Sequence, residues 1–434
     1  MPRNPLKVLI IGAGAGGLCL AQGLKRDGVA AEVFERDPTP SHQAQGYRLS
    51  ISATGSRALK ACLPDTVFER LTQNTAQPSE AVTFLDHRLN RLLEIDLRYR
   101  DRHAIDAERP VSRAALRHIL LEGLDDVVRF GKRFIGFDDV TSGAVAAHFE
   151  DGTTAVGDVL VGADGAGSRV RSILLPEARR ADTGLIGIGG KLPLTAEVRA
   201  STPLAILRGP TPILGPRGCF MFGSAAQYGD LDARERALVS AGGTLAGARE
   251  SALDNREEYL MWGFTARRER FALPEGDDAR DGQDLKLAVE RLMGDWHPTL
   301  RRLVQRTDPS VIKTFAVKTS VPVGPWKTRN VTLLGDALHN MPPFRGVGAN
   351  TALWDAAVLH KALVAVDNGE KHLLRALAAY ERAMIDHGFR AVRTSLGDMA
   401  RFHAENWIER TLTKFFFRAL DLVPGLRNAV VAGR

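Results

Sequence analysis

Cysteine is scarce in this chain: Cys19, Cys62 and Cys219 are the only three in 434 residues. They form no CxxC pair and stand far apart in sequence. Neither a disulfide framework nor a metal site is expected, and the three read as reduced core thiols of a cytoplasmic protein. Long apolar runs are missing too. Although 44% of the residues are hydrophobic, no stretch reaches the length of a membrane span, so stable membrane insertion is not expected. The apolar run at the start is broken by glycines and too short for a signal peptide. The formal net charge is +7, yet Lys and Arg are scattered, and no dense basic run or nucleic-acid motif accompanies them. The excess reads as a basic surface that attracts an anionic nucleotide, with no nucleic-acid partner. Internal repeats and low-complexity tracts are also lacking. A chain of this size and composition buries a large core and is expected to form two intimately joined domains.

What is present starts near the N-terminus. Lys7 to Ile11 read as a strand, and Gly12-Ala13-Gly14-Ala15-Gly16-Gly17 opens a helix running to Arg26. Ala31 to Phe34 form a second strand that ends in Glu35. Gly12 permits a tight turn, Gly14 lets the backbone approach a pyrophosphate, and Gly17 allows close helix–strand packing. Glu35 lies where a carboxylate accepts hydrogen bonds from a ribose. A second motif, Asp158 to Arg171, is an apolar strand broken by Asp164-Gly165 before a helix start. In a third, Val331 to Leu334 is a strand, followed by Gly335-Asp336 and then Met341-Pro342-Pro343-Phe344-Arg345-Gly346-Val347-Gly348-Ala349-Asn350. It leads into an Ala/Leu-rich helix over Thr351 to Val366. Such a helix start offers free N–H groups and a partial positive charge to an electron-rich ligand.

With these three motifs in this order, the chain resembles the group A flavoprotein monooxygenases, which share the p-hydroxybenzoate hydroxylase fold. The stretch from His339 to Asn350 is similar in particular to the tetracycline-inactivating and polyketide-tailoring members, which carry a similar Met-Pro-Pro-Phe run. The resemblance spans residues 6 to 390. It implies that Gly12, Gly14, Ala15, Gly16, Gly17 and Glu35 bind the ADP half of FAD, with Arg36 against the adenine. By the same resemblance Arg113 reaches the FAD phosphates and ribose, and Asp164 touches both FAD and the incoming nicotinamide nucleotide. Asp336, Pro343, Gly346, Gly348, Ala349 and Asn350 hold the ribityl-phosphate and the flavin ring edge. Arg48 occupies the loop beside the flavin ring and is the candidate catalytic residue, positioning the nicotinamide or pairing with the reduced flavin. His339 reads as a structural residue. The chain departs from the family at Arg345, where a small residue is usual, and at Gly167, where Asn is common.

The implied fold is α/β: a discontinuous Rossmann-like FAD-binding domain, an inserted, mostly antiparallel β-sheet substrate domain, and C-terminal helices. The expected division is 1–180 and 276–395 for the FAD-binding domain, 181–275 for the sheet, and 396–434 for the helices. Leu204 to Leu207, Cys219 to Phe222 and Tyr259 to Phe264 read as strands. Asp230 to Asp254 reads as a polar insertion and mobile loop. Helical patterns resume at Asp284 to Trp296 and His297 to Arg306. Ser112 is placed to cap a helix reaching Glu122. The segment Trp407 to Val431 reads as a helix packed on the body, with a membrane surface as its alternative seat. No third, thioredoxin-like domain is expected after residue 396. Phe220, Phe222, Tyr259 and Trp262 are candidate pocket residues, but alternate strand positions face opposite sides, so about half of them belong elsewhere.

The resemblance implies a reaction in which NADPH or NADH reduces FAD and O2 adds to give a C4a-hydroperoxide. Its distal oxygen then passes to an aromatic or polyketide-like, hydrophobic substrate. No second GxGxxG exists, which points to transient docking of the nicotinamide. A Baeyer–Villiger or epoxidising member of the family stays open. A flavin halogenase is disfavoured by the lack of a Trp-x-Trp motif, and a non-catalytic binding protein of the same fold by retention of Asp164 and Asp336. The chain is expected to be a monomer or homodimer.

Overall fold

The computed structural model describes residues 5–40, 48–98, 105–140, 143–228, 258–273 and 281–422. The expected insertion over Asp230 to Asp254 lies outside the described residues, as do residues 423–431 of the expected C-terminal helix. Within them the chain builds two layered units. The first is organised by a five-stranded parallel sheet in the order Val331–Leu333, Val159–Gly162, Lys7–Ile11, Ala30–Phe34, Val128–Arg129. These strands are near-continuous apolar runs because helices cover both faces of a parallel sheet. Helix Ala15–Arg26 packs against helix Gly348–Asp367, and Leu18, Leu20, Leu24, Leu353, Leu359 and Leu363 are fully buried between the layers.

Strand register brings distant sequence together. Ile11 is level with Phe34 on one side and with Gly162 on the other, and Gly162 is level with Leu333. Gly12, Glu35, Ala163-Asp164 and Gly335-Asp336 therefore leave the sheet from one edge, the carboxyl ends of parallel strands where open α/β sheets bind ligands.

The second unit is a seven-stranded sheet ordered Lys313–Ser320, Arg180–Pro193, Tyr259–Arg267, Phe220–Ala226, Thr211–Leu214, Ala81–Asp86, Arg91–Asp96. All neighbours are antiparallel except the Thr211–Leu214 and Ala81–Asp86 pair. This sheet is wider than the expected 181–275 span. It borrows a hairpin from residues 81–96 and a strand from 313–320, and helices Gly282–Leu292 and Pro298–Arg306 pack on its face rather than on the parallel sheet. The run Leu204 to Leu207, expected as a strand, is a short helix, Leu204–Arg208. A four-residue apolar run fits either element. Here Pro203 presets the first turn, and Ile206 turns inward over Gly223. Helices Leu373–Phe402 and Trp407–Leu422 close the molecule, with Phe402, Phe417 and Leu420 packed on the second sheet. Cys19, Cys62 and Cys219 are buried and free.

Candidate active site

The glycines of the first motif divide by what surrounds them. A Cβ on Gly17 would lie 2.2 Å from the Gly12 carbonyl oxygen, and one on Gly16 would lie 2.4 Å from Leu334. These two positions are closed by protein. Gly12, at φ +107°, makes the turn and faces the Ala163 carbonyl. Gly14 is exposed and nothing lies within 4 Å of a Cβ built there. Among the glycines of the loop it is the one left open to a ligand approaching the backbone. Helix Ala15–Arg26 begins with no side-chain cap and no acid in its first turn, so its positive end is free. Glu35 is buried. Its carboxylate accepts from the Ala13 N–H at 2.7 Å and the Asp37 N–H at 3.0 Å, which fixes it below the same loop. Arg36 is exposed on the following turn.

Asp164 caps the short helix Arg169–Leu174 with one oxygen, which accepts from the N–H groups of Arg169 and Val170. Its other oxygen is buried and has no partner among the described residues. A buried carboxylate oxygen left without a donor costs free energy, and a ligand donor satisfies it. Asp336 opens a four-residue helix, Asp336–His339, and its Oδ1 lies beside Gly348. Burial raises its pKa, while His339, Arg113 and Arg180 pull it down, leaving it above the usual carboxylate value. Arg113, exposed at the start of helix Arg113–Leu121, lies close enough to act on the Asp336 charge, and Ser112 caps that helix through the Ala115 N–H.

The third-motif loop turns at Gly346, φ +63°, after a 3-10 turn over Pro343–Arg345. It delivers Gly348 and Ala349 to a helix start that also lacks a side-chain cap. The Asn350 amide is spent on the protein: Oδ1 accepts from the Ser52 N–H and Nδ2 donates to the Ser50 carbonyl, both at 2.8 Å. Asn350 therefore clamps strand Leu49–Ile51 to this helix start. Arg345 donates to Asp398 at 3.1 Å.

Arg48 precedes that strand. Its guanidinium donates to the Ala225 carbonyl at 2.8 Å and to Ser79 Oγ at 3.1 Å, both in the second unit. Burial lowers its pKa against the opposing pull of Glu108. His339 is fully buried with Nε2 2.6 Å from Asp355 Oδ2, and Asp355 also accepts from the Gly335 N–H. Burial disfavours the charged imidazole, but the Asp355 carboxylate outweighs it and the pKa is raised.

Two residues were not singled out from sequence. Arg171, buried on the inner side of its helix, donates to the Ala166 and Ala337 carbonyls and so ties the second motif to the third. An Arg inside an apolar helical turn was the available signal. Phe344 sets its ring edge-on to Phe220 at 5.6 Å, fixing the third-motif loop against the second sheet. Of the four aromatic candidates, Trp262 faces away, its Nε1–H donating to Thr307 in the other core. Phe220 is buried and stacked on Phe402 at 5.0 Å. Phe222 remains partly exposed, directly opposite Gly263, which pairs in turn with Gly189. Nothing lies within 4 Å of a Cβ on Gly263. Opposite residues share a face, so Phe222, Gly263 and Gly189 form one row, with open space before Gly263. Ser224 and Met261 continue that face in the next row.

Residues 259–395 match a model of an FAD binding domain, and residues 10–72 match one of an NAD(P)-binding Rossmann-like domain. An FAD-dependent monooxygenase of Emericella nidulans is 31% identical over 83% of this chain and 87% of its own length. A dual O-methyltransferase/FAD-dependent monooxygenase of Cercospora beticola is 32% identical over 93% of this chain. The chain spans about half the length of that curated relative, 47%. A solved chain from Photorhabdus luminescens, classed with the FAD-containing monooxygenases, superposes with a TM-score of 0.77 at 29% identity, over 92% of this chain and 98% of its own.

Proposed function

This chain belongs to the FAD-dependent monooxygenases, and from that premise we propose that it hydroxylates an aromatic or polyketide-like small molecule with NADPH or NADH as reductant and O2 as oxidant. Bound FAD supplies the redox chemistry, taking two electrons from the nicotinamide and using O2 to place one oxygen atom on the substrate. The protein's share is binding, orientation and exclusion of water. Its residues fit that cofactor: Gly14 is open to a pyrophosphate, Asp164 keeps a buried oxygen without a donor, and Asp336 stands beside the backbone of Gly348.

Each residue then has a share in holding the cofactor. Gly12, Gly16 and Gly17 shape the loop from which Gly14 and Ala15 present backbone to the pyrophosphate, at the positive end of their helix. Glu35 accepts from the adenosine ribose, and Arg36 covers the adenine. Arg113 supplies a fixed cation for the phosphates. Pro343 and Gly346 shape the loop whose free N–H groups, at Gly348 and Ala349, face negative charge developing at the flavin ring. Asn350 holds that helix start in place. Arg48 positions the strand beside the ring by latching it to the second sheet. The nicotinamide docks transiently near Asp164.

The row Phe222–Gly263–Gly189 carries the substrate assignment. Gly263 leaves open floor beside the partly exposed Phe222 ring, a shape suited to a planar hydrophobic ring system. The test is oxidation of NADPH and of NADH by FAD-loaded protein, with and without a panel of phenolic polyketides, following peroxide and product mass. Stimulated oxidation with gain of one oxygen atom is expected. Absence of oxidation with either nicotinamide overturns the reading, and a ring-expanded ester product would replace hydroxylation by a Baeyer–Villiger outcome.

A further inference from the structure

The C-terminal helix Trp407–Leu422 is seated on the second sheet by Phe417 and Leu420, which are buried. Its other face is largely open among the described residues, with the Arg401 guanidinium lying over the Phe416 ring. Trp407, Ile408, Leu412, Phe415, Phe416 and Leu422 are all exposed there, Leu412 by 61% and Phe415 by 70%. Thirteen large hydrophobic residues are exposed among the described residues, and six of them lie on this one helix. The exposure is therefore a patch and not the usual scatter of single apolar side chains. The spacing 408, 412, 415, 416 and 422 makes it one continuous stripe.

The geometry points to a second copy of this chain as the occupant, joined by a two-fold axis passing near Leu412 and Phe415. Size supports it. Six such side chains, each turning about half its surface outward, hide on the order of 600 Å² per subunit, so about 1,200 Å² in all, the lower limit of a specific interface. Charge supports it as well. Charges of both signs surround the stripe: Glu409 and Arg418 are exposed beside it and Arg410 is half-buried, Arg401, whose guanidinium lies 5.8 Å from the Phe416 ring, is paired with Asp398, and Lys414 is turned onto Asp86. The stripe is thus bordered by mixed and largely paired charge, without the dense basic cluster that draws a helix to an anionic bilayer. A two-fold makes the contact self-complementary: the middle of the stripe meets itself, and apolar side chains bury apolar side chains.

The test is sedimentation velocity of the FAD-loaded chain from about 1 to about 100 µM, the range in which an interface of this size dissociates. A concentration-dependent dimer is expected. Leu412→Asp should weaken it at least about tenfold, with flavin content and far-ultraviolet circular dichroism unchanged because Leu412 supports no core. Since the three natural cysteines are buried, Leu412→Cys gives a single reactive thiol, and mild oxidation should link it to its own symmetry mate. A monomer throughout the range overturns the proposal. So does a dimer that Leu412→Asp leaves intact, and so does binding of the monomer to phosphatidylcholine/phosphatidylglycerol vesicles that Leu412→Asp abolishes, which would assign the stripe to a membrane surface.

Discussion

Asp336 holds a carboxylate where burial opposes its charge and where Arg113, His339 and Arg180 support it. Removing it with Asp336→Ala leaves those cations facing a ligand that has lost its partner. FAD should leave on desalting, with about 3 kcal/mol or roughly 100-fold lost in affinity; full flavin occupancy of the variant in its visible spectrum would refute the assignment. Arg113→Ala should weaken FAD retention by a smaller factor, about tenfold, because an exposed cation is partly screened. Glu381 carries a different consequence. It is buried, accepts from Thr328 at 2.5 Å and Thr332 at 3.1 Å, and burial raises its pKa to about 6 from 4.5. A raised folded-state pKa means that the stabilising form is the protonated one. Its contribution is complete below 4.5 and is lost as pH rises through about 6, a matter of about 2 kcal/mol. Glu381→Gln should flatten that part of the stability profile and raise the melting temperature at neutral pH, measured by thermal denaturation from pH 4 to 8.

At the scale of elements, the glycine loop separates folding from binding. Gly17→Ala forces a methyl against the Gly12 carbonyl and should cost about 1–3 kcal/mol of stability. Gly14→Ala adds its methyl to open space and should leave the melting temperature of the flavin-free protein unchanged while lowering FAD affinity; calorimetry on both variants distinguishes the two. The same elements show what could be read from sequence. The strand, loop and helix at residues 7–26, the strand ending in Glu35, and the strands at 159–162 and 331–333 were all legible, because each short apolar run is fixed by the glycine or acid turn and, in most cases, the helix start that follow it. The cap at Ser112 was legible for the same local reason. Leu204 to Leu207 was not, since four apolar residues carry no period and Pro203 decided the outcome. Nor was the use of Asn350 and Arg48. Their partners, Ser50 and Ser52 for one and Ala225 and Ser79 for the other, are set by tertiary packing, which motif spacing does not encode. The sheet's borrowed hairpin at 81–96 was invisible for a related reason: strand pairing across more than a hundred residues leaves no local mark.

Across the whole molecule, Arg48 is a side-chain polar tie between the two units. Arg48→Met keeps the length of the stem and removes both donors, leaving the Ala225 carbonyl and Ser79 hydroxyl unmatched. A loss of about 2 kcal/mol is expected, seen as a lower melting temperature of the flavin-loaded protein. An unchanged melting curve would show that the Arg48 latch adds nothing to the contacts, such as Phe220 on Phe344 and the Ser320–Asn340 hydrogen bond, that already hold the units together.

The level ends of the parallel strands also bear on how the protein is made. The strand Val159–Gly162 lies between Lys7–Ile11 and Val331–Leu333, so a nascent chain presents one bare edge of that strand until residues beyond 333 have left the ribosome. Unpaired parallel edges invite association with other chains. The glycine loop at 12–17 is synthesised before Asp336 and the helix start at Gly348, which arrive more than 300 residues later. Cofactor capture is thus a late, closing event in biogenesis. Riboflavin supply during expression should govern how much protein stays in solution, and not merely how yellow the purified fraction is.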